Sequence, residues 1–497
     1  MAEELGVYNE FSPNKPAMIS IFNYINGCFV SAQSGENLPV YEPATGQAYA
    51  HAPASAADDV DAAVNAAKQA AKKWGQTSAS ERAGWLHRLA DRIEQRMEEF
   101  AHAESRDQGK PVSLARRMDI PRAVDNLRFF AGAILHDRQE AYDTDGQAIN
   151  YVQRRPLGVV ACISPWNLPL YLFTWKIAPA LAAGNAVVAK PSELTPCTAF
   201  MLSEIAHEIG FPPGVLNILH GFGASIGDRL NVHPDIKAIS FTGGTATGAR
   251  IAAQAAPLFK KLSLELGGKN PTIIFADAPY EDALATAVRS AFTNQGEICL
   301  CGSRILVERP IYQRFLNDFV ERVQQITVGD PLLEDTRMGA LVSEAHLNKV
   351  LGYVQLAVEE GGVIRYGGQR LRPEGRCSGG WLMQPTVIDG LPNHCRTNQE
   401  EIFGPVVTLQ SFETDDEALS LANGTDYGLA AGLWTSDLSR AHRLAARLEF
   451  GIVWVNTWLL RDLRTPFGGM KSSGVGREGG YEALRFFTEP VNICIRV

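Results

Sequence analysis

From Leu157 onward, short unbroken apolar runs alternate with amphipathic stretches, and this alternation constrains the fold more than any other feature of the chain. The runs LGVVACI, NAVVAK, VLNIL and KAISF fall between residues 157 and 241, separated by turns rich in Gly, Pro and Ser. A run without polar alternation has no solvated face, so each predicts a strand buried on both sides. Such strands, joined by helices, form a parallel sheet. The expected class is α/β, with a doubly wound lobe whose ligand cleft lies at the carboxyl ends of the strands. PTIIF, a helix across 283–294, RILVE and GIVWVN predict a second α/β lobe.

At 497 residues the chain is too long for one core. The expected division gives residues 1–135 and 155–266 to the first lobe and 267–468 to the second, with the boundary at Gly267-Gly268. Ahead of the alternating region, Trp85, Leu89, Ile93, Met97 and Phe100 recur at helical spacing. Ser78 and Glu81 form a capping box before them. The excursion 136–154 and the terminal PVNICIRV within 484–497 are expected to form a small β flap. An apolar strand at a chain end needs a partner, and another subunit can supply it.

Composition closes several functional classes. The chain carries 46 Lys and Arg against 55 Asp and Glu, a formal net charge of −9, whereas nucleic-acid binding needs a basic field. No run of about 18 apolar residues predicts a membrane span. The opening MAEELGVYNEFSPNKPAMIS has no basic n-region, no apolar h-region and no Arg, so the expected location is the cytoplasm. Cys28, Cys162, Cys197, Cys299, Cys301, Cys377, Cys395 and Cys494 are scattered without a Cys-x-x-Cys pair. Reduced thiols are expected, with neither a disulfide framework nor a metal site.

Several segments carry chemistry. In FTNQGEICLCGSR, residues 292–304, a helical stretch ends at Gly296 and Cys299 falls in the turn beyond, where a thiol is accessible. Thiolate is the nucleophilic form, favoured by positive potential or backbone N–H groups. In KKLSLELGGKN, Leu262, Leu264 and Leu266 alternate with Lys261, Ser263 and Glu265. Glu265 then sits on the polar face of a strand end, placed for a general base or for a solvated edge carboxylate. In ISPWNLPLYLFTWK, Asn167 lies between a strand and a helix opened by Pro169. Its amide can donate to an oxyanion or cap the helix. After NAVVAK come Lys190, Ser192 and Glu193, and a carboxylate there binds ribose hydroxyls and repels a 2′-phosphate. GFGASIG and FTGGTATG are Gly-rich strand-to-helix turns suited to phosphate. Neither has Gly-x-Gly-x-x-Gly spacing.

Seven motifs, PWNLPL, KPSE, FTGGTATG, LELGGKN, NQGEICL, EEIFGP and PFGGMKSSG, occur in order between residues 165 and 474. With them the chain resembles the aldehyde dehydrogenase superfamily over essentially its whole length. The resemblance implies that family's fold: a Rossmann-like NAD-binding domain, an α/β catalytic domain and a β oligomerisation flap that builds a homodimer or homotetramer. It implies Cys299 as nucleophile, Glu265 as general base, Asn167 with the Cys299 backbone N–H as oxyanion hole, and Lys176 as an aid to Glu265. It places Lys190 and Glu193 at the adenosine ribose, Gly243 and Gly244 at the pyrophosphate, and Glu401 and Phe403 at the nicotinamide ribose. Ile163, Ser164, Trp166, Ser192, Gly223, Phe241 and Leu266 complete the implied NAD site. Glu265 favours hydrolysis of the acyl-enzyme over transfer to CoA. The presence of Cys299, Glu265 and Asn167 together argues against a non-enzymatic protein on this fold.

For the substrate, RRMDIPRAVDNLRFF at 116–130 and NTWLLRDLRTPFGG at 456–469 bring Arg to the segments that the family places at the substrate entrance. Arg122 and Arg461 are read as a clamp for a carboxylate; Arg116, Arg117 and Arg464 are expected to pair with nearby acids. These segments look most like the muconic semialdehyde branch. The expected partner is therefore a small acidic semialdehyde, 2-aminomuconate 6-semialdehyde ahead of its 2-hydroxy analogue. The preference rests on Glu297, which is Gln in many relatives and is expected to add negative charge near Cys299.

Overall fold

The apolar runs of the first series form the strands Val159–Ile163, Ala186–Lys190, Leu216–Ile218 and Ile236–Thr242 in a computed structural model that describes residues 18–497. The opening segment on which the targeting expectation rests lies almost entirely outside the described residues. Together with Lys261–Glu265 these strands lie parallel, in the spatial order third, second, first, fourth, fifth. Every residue of the first two is buried. Alternate side chains feed opposite cores: Val159, Ala161 and Ile163 meet Val60 and Val64, while Val160 and Cys162 meet Leu170, Phe173 and Ile177. The order reverses between Val159–Ile163 and Ile236–Thr242, which opens a crevice beyond their carboxyl ends. The hairpin Asn23–Ile25 and Cys28–Val30 closes one edge antiparallel, and Gly474–Val475 closes the other.

A second sheet is parallel from Thr386–Asp389 through Val406–Phe412, Arg304–Glu308, Pro271–Ile274 and Ala430–Trp434 to Ile452–Val455. Ala141–Thr144, Ala148–Pro156 and Thr488–Arg496 make a separate antiparallel sheet. The terminal strand thus finds its first partner within its own chain. Among the described residues no helix is long and apolar enough to cross a membrane.

Local departures from expectation have local causes. The Trp85–Phe100 periodicity spans two helices, Ala79–Gln95 and Met97–Gln108, because Arg96 leaves helical geometry at φ −107° and ψ 24°. Ser78 accepts from the Glu81 N–H, one half of the capping box. GFGASIG forms a wide π-type turn, Gly223–Gly227, before the short helix Asp228–Val232. The helix ahead of Cys299 is Tyr280–Phe292, ending four residues before Gly296.

Candidate active site

The crevice at the strand switch holds a cavity of about 710 Å³. Ile163, Ser164, Trp166, Lys190, Ser192, Glu193, Gly223, Phe241, Gly243 and Gly244 all line it. The helix Thr245–Ala255 starts at its wall without a side-chain cap, so its first N–H groups are free for an anion. Lys190 Nζ donates to Glu193 Oε2 at 3.0 Å, fixing the carboxylate at the rim. The buried hydroxyls of Ser164 and Thr242 have no hydrogen-bond partner among the described residues. Orphaned polar atoms on a cleft wall suit a polar ligand, and the donor set fits a dinucleotide.

An adjoining cavity of about 240 Å³ joins Trp166, Asn167, Gly243, Gly244, Leu266, Glu401 and Phe403 to Cys299. Gly268 N donates to Glu401 Oε1 at 2.9 Å. A Cβ on Gly267 would lie 2.3 Å from Glu401 Oε2, so any larger residue there would displace that carboxylate. His346, which the motif reading missed, shares this cavity. Its Nε2 lies 2.7 Å from the Phe403 carbonyl and helps hold Phe403 at φ 60°. Burial lowers the His346 pKa to about 4, so the ring is neutral and its Nε2–H donates.

On the other side of Cys299 lies a third cavity of about 310 Å³, which contains Glu265, Glu478, Arg122 and Arg461. Glu265 is buried, not a solvated edge residue. Neither of its oxygens has a hydrogen-bond partner among the described residues. Burial, and then the Glu478 carboxylate, hold its pKa well above the usual carboxylate range. Lys176 Nζ donates to Glu478 Oε1 at 2.7 Å and to Ser240 Oγ at 3.1 Å. Lys176 therefore reaches the Glu265 side of the site through Glu478, a residue that no motif singled out. Burial, with Glu265 and Glu401 facing it, pushes the Cys299 thiol up to about 12.

The loop that carries Cys299 is strained and heavily pinned. Asn294, Gln295 and Gly296 all adopt left-handed backbone, with φ 53°, 56° and 72°, costly for the two non-glycine residues. Asn294 Nδ2 donates to the carbonyls of Asn167 and Glu297. Asn270 Nδ2 donates to the Cys299 carbonyl at 2.7 Å and the Cys301 carbonyl at 2.9 Å. Trp458 Nε1 holds the Leu300 carbonyl at 2.9 Å. Asn167 does not cap the helix Pro169–Ala182, whose cap is Leu168. Its Nδ2 donates to the Glu297 carbonyl at 3.0 Å, and the amide's second N–H remains for a substrate oxygen.

Glu297 departs from expectation. It is fully buried, and its Oε2 accepts from Gln108 Nε2 at 2.6 Å. Burial raises its pKa well above the carboxylate range. Its carboxyl is held behind the loop, where it also accepts from the Val342 N–H at 3.3 Å.

Arg122 and Arg461 form no ion pair among the described residues. Arg122 Nε donates to Asn126 Oδ1 at 3.2 Å, and its buried Nη2 has no partner. Arg461 Nη1 donates to the Tyr171 hydroxyl at 2.9 Å, and its guanidinium lies 4.0 Å from the Phe467 ring centre. Both guanidinium groups also face Trp175. Exposed Asp125 shares the lining. Asp119 is taken by Lys110 and Asp462 by Arg464. Arg116 pairs with Glu98 and Glu334. Arg117, expected to pair, has no acidic partner among the described residues.

Residues 29–493 match the aldehyde dehydrogenase family. The chain is 50% identical over 477 residues to 2-aminomuconic semialdehyde dehydrogenase of Danio rerio, covering 95% of this chain and 98% of that one. It is 48% identical over 486 residues to 2-hydroxymuconic semialdehyde dehydrogenase of Pseudomonas sp. strain CF600, covering 97% and 100%. The indole-3-acetaldehyde dehydrogenase of P. syringae, solved with NAD+ and IAA, superposes at a TM-score of 0.94 with 39% identity, covering 97% of each chain. The motif residues gather around one cleft and one thiol, the match runs nearly the whole length, and the chain belongs to the aldehyde dehydrogenase family.

Proposed function

We propose that the chain oxidises a carboxylated semialdehyde to the dicarboxylic acid with NAD, and that 2-aminomuconate 6-semialdehyde is its substrate. The observation that carries this reading is that Arg122 and Arg461 enter the cavity of Cys299 and Glu265 without a carboxylate of their own. Two half-buried guanidinium groups in an acidic protein invite an anionic ligand end. The 2-hydroxy analogue carries the same carboxylate and is the second reading, which the relative of that name favours.

The chain's own groups divide the work. Cys299 thiolate adds to the aldehyde carbon, and the Asn167 amide with the Cys299 N–H stabilises the oxyanion. NAD, held by Lys190, Glu193, Glu401 and Phe403, supplies the hydride acceptor when bound. Glu193 at the ribose position favours NAD over NADP. Glu265 then takes a proton from water, which attacks the thioester and frees Cys299. Glu478 and Lys176 offer that proton a path away from Glu265. The family's oligomerisation role falls to the sheet of Ala141–Thr144, Ala148–Pro156 and Thr488–Arg496, giving a homodimer or homotetramer in the cytoplasm.

Steady-state kinetics with both semialdehydes test the reading. Arg122→Ala and Arg461→Ala each remove a charge-assisted bond of about 1.5–3 kcal/mol, so kcat/KM drops about 10- to 150-fold. A neutral aldehyde loses far less. Unchanged kcat/KM for the carboxylated substrates in both variants would refute the clamp.

A further inference from the structure

Next to the substrate cavity lies another of about 520 Å³, and the two share Arg117, Met118 and Leu459. Its floor is apolar, with Phe292, Ile326 and Trp458. Three guanidinium groups line it: Arg117, Arg289 and Arg337. All three residues are exposed, and none has a salt bridge or side-chain hydrogen bond among the described residues. No Asp or Glu contributes to the lining. In a chain of net charge −9, acids are in excess and neighbouring Arg116 holds two of them. Three mutually repelling cations left together around one concavity mark a place where an anion gains most.

We infer that this cavity is an anion-binding vestibule for a planar, unsaturated carboxylate about the size of the substrate. The inference rests on the substrate class proposed above. Planar guanidinium forks match carboxylate oxygens, and the aromatic floor suits a conjugated carbon chain. Met118 and Leu459 line both this cavity and the one that holds Arg122 and Arg461. The protein's overall charge repels an anionic substrate, and this local positive rim offsets that within a Debye length of about 8–10 Å. The product carries one more carboxylate than the substrate, formed between the Glu265 and Glu401 carboxyls, so it leaves toward the same rim.

The probe is trans,trans-muconate, titrated into the protein by isothermal calorimetry at low ionic strength. Wild type takes up two equivalents. Arg289→Gln/Arg337→Gln weakens the second by about tenfold or more, and Arg289→Lys/Arg337→Lys recovers part of it. Unchanged Tm in these variants shows that the fold is intact. Arg122→Ala/Arg461→Ala loses the first equivalent and keeps the second. A single equivalent in wild type, or a second that survives Arg289→Gln/Arg337→Gln, overturns the vestibule. A first equivalent indifferent to Arg122 and Arg461 overturns the clamp instead.

Discussion

At the scale of the residue, the acid–base groups are set for work on the alkaline side. Burial and Glu478 raise Glu265, and burial with Glu265 and Glu401 raises Cys299. In the roles proposed for them, base and nucleophile, each must lose a proton to act. A raised pKa means that the active form is gained as pH rises and lost as it falls. The pH profile of kcat should therefore climb through neutrality into the alkaline range; a profile that peaks below neutrality would contradict both assignments. Glu265→Gln separates the two steps. Cys299 still attacks, so a first-turnover burst of NADH remains. Thioester hydrolysis loses its base, and the steady rate falls about 10²- to 10⁴-fold. Rapid-mixing absorbance reads both phases, and a missing burst would place Glu265 before hydride loss.

At the scale of the element, strands were legible and loops were not. Val159–Ile163 and Ala186–Lys190 are buried on both faces, and that burial is written directly as unbroken apolar sequence. Glu265 and Asn167 fall at strand ends and Cys299 in a turn, but position alone leaves their roles open, and it is the seven ordered motifs shared with the family that single them out. The shape of the Cys299 loop was hidden, because it depends on partners far along the chain. Asn294 is held by a carbonyl 127 residues away and Glu297 by an amide 189 residues away. No local pattern announces a left-handed pair at Asn294 and Gln295, or places Glu478 beside Lys176. The loop also buries Glu297, whose carboxyl accepts from Gln108 and from the Val342 N–H. Glu297→Gln preserves shape and hydrogen bonding and should shift stability by less than about 1.5 kcal/mol. Glu297→Ala leaves Gln108 and the Val342 N–H unpaired and should cost about 1–3 kcal/mol for each buried orphan. Chemical denaturation distinguishes the two, and equal losses would show that the side chain's hydrogen bonds carry no weight.

At the scale of the molecule, the three-stranded sheet is the part least explained by the chain alone. Ala148–Pro156 pairs with Thr488–Arg496 along its whole length, so the terminal strand is not waiting for a partner to fold. Its outer edge is another matter. Ile495 on that edge is 54% exposed, and Ile149, its cross-strand neighbour on the central strand, 49%; an uncovered strand edge bearing large apolar side chains invites pairing with a second chain. The sheet buries little of itself, which is why it is the surface proposed for association. Replacing Ile495 with Lys puts a charge on that edge without touching either lobe's core. The expected outcome is a smaller species by analytical ultracentrifugation, with NAD binding retained, because the dinucleotide cleft belongs to the sheet of Val159–Ile163 and its neighbours. If Ile149→Lys and Ile495→Lys together leave the sedimentation of the wild type unchanged, association runs through another surface, and the flap is a brace between Pro156 and the chain end.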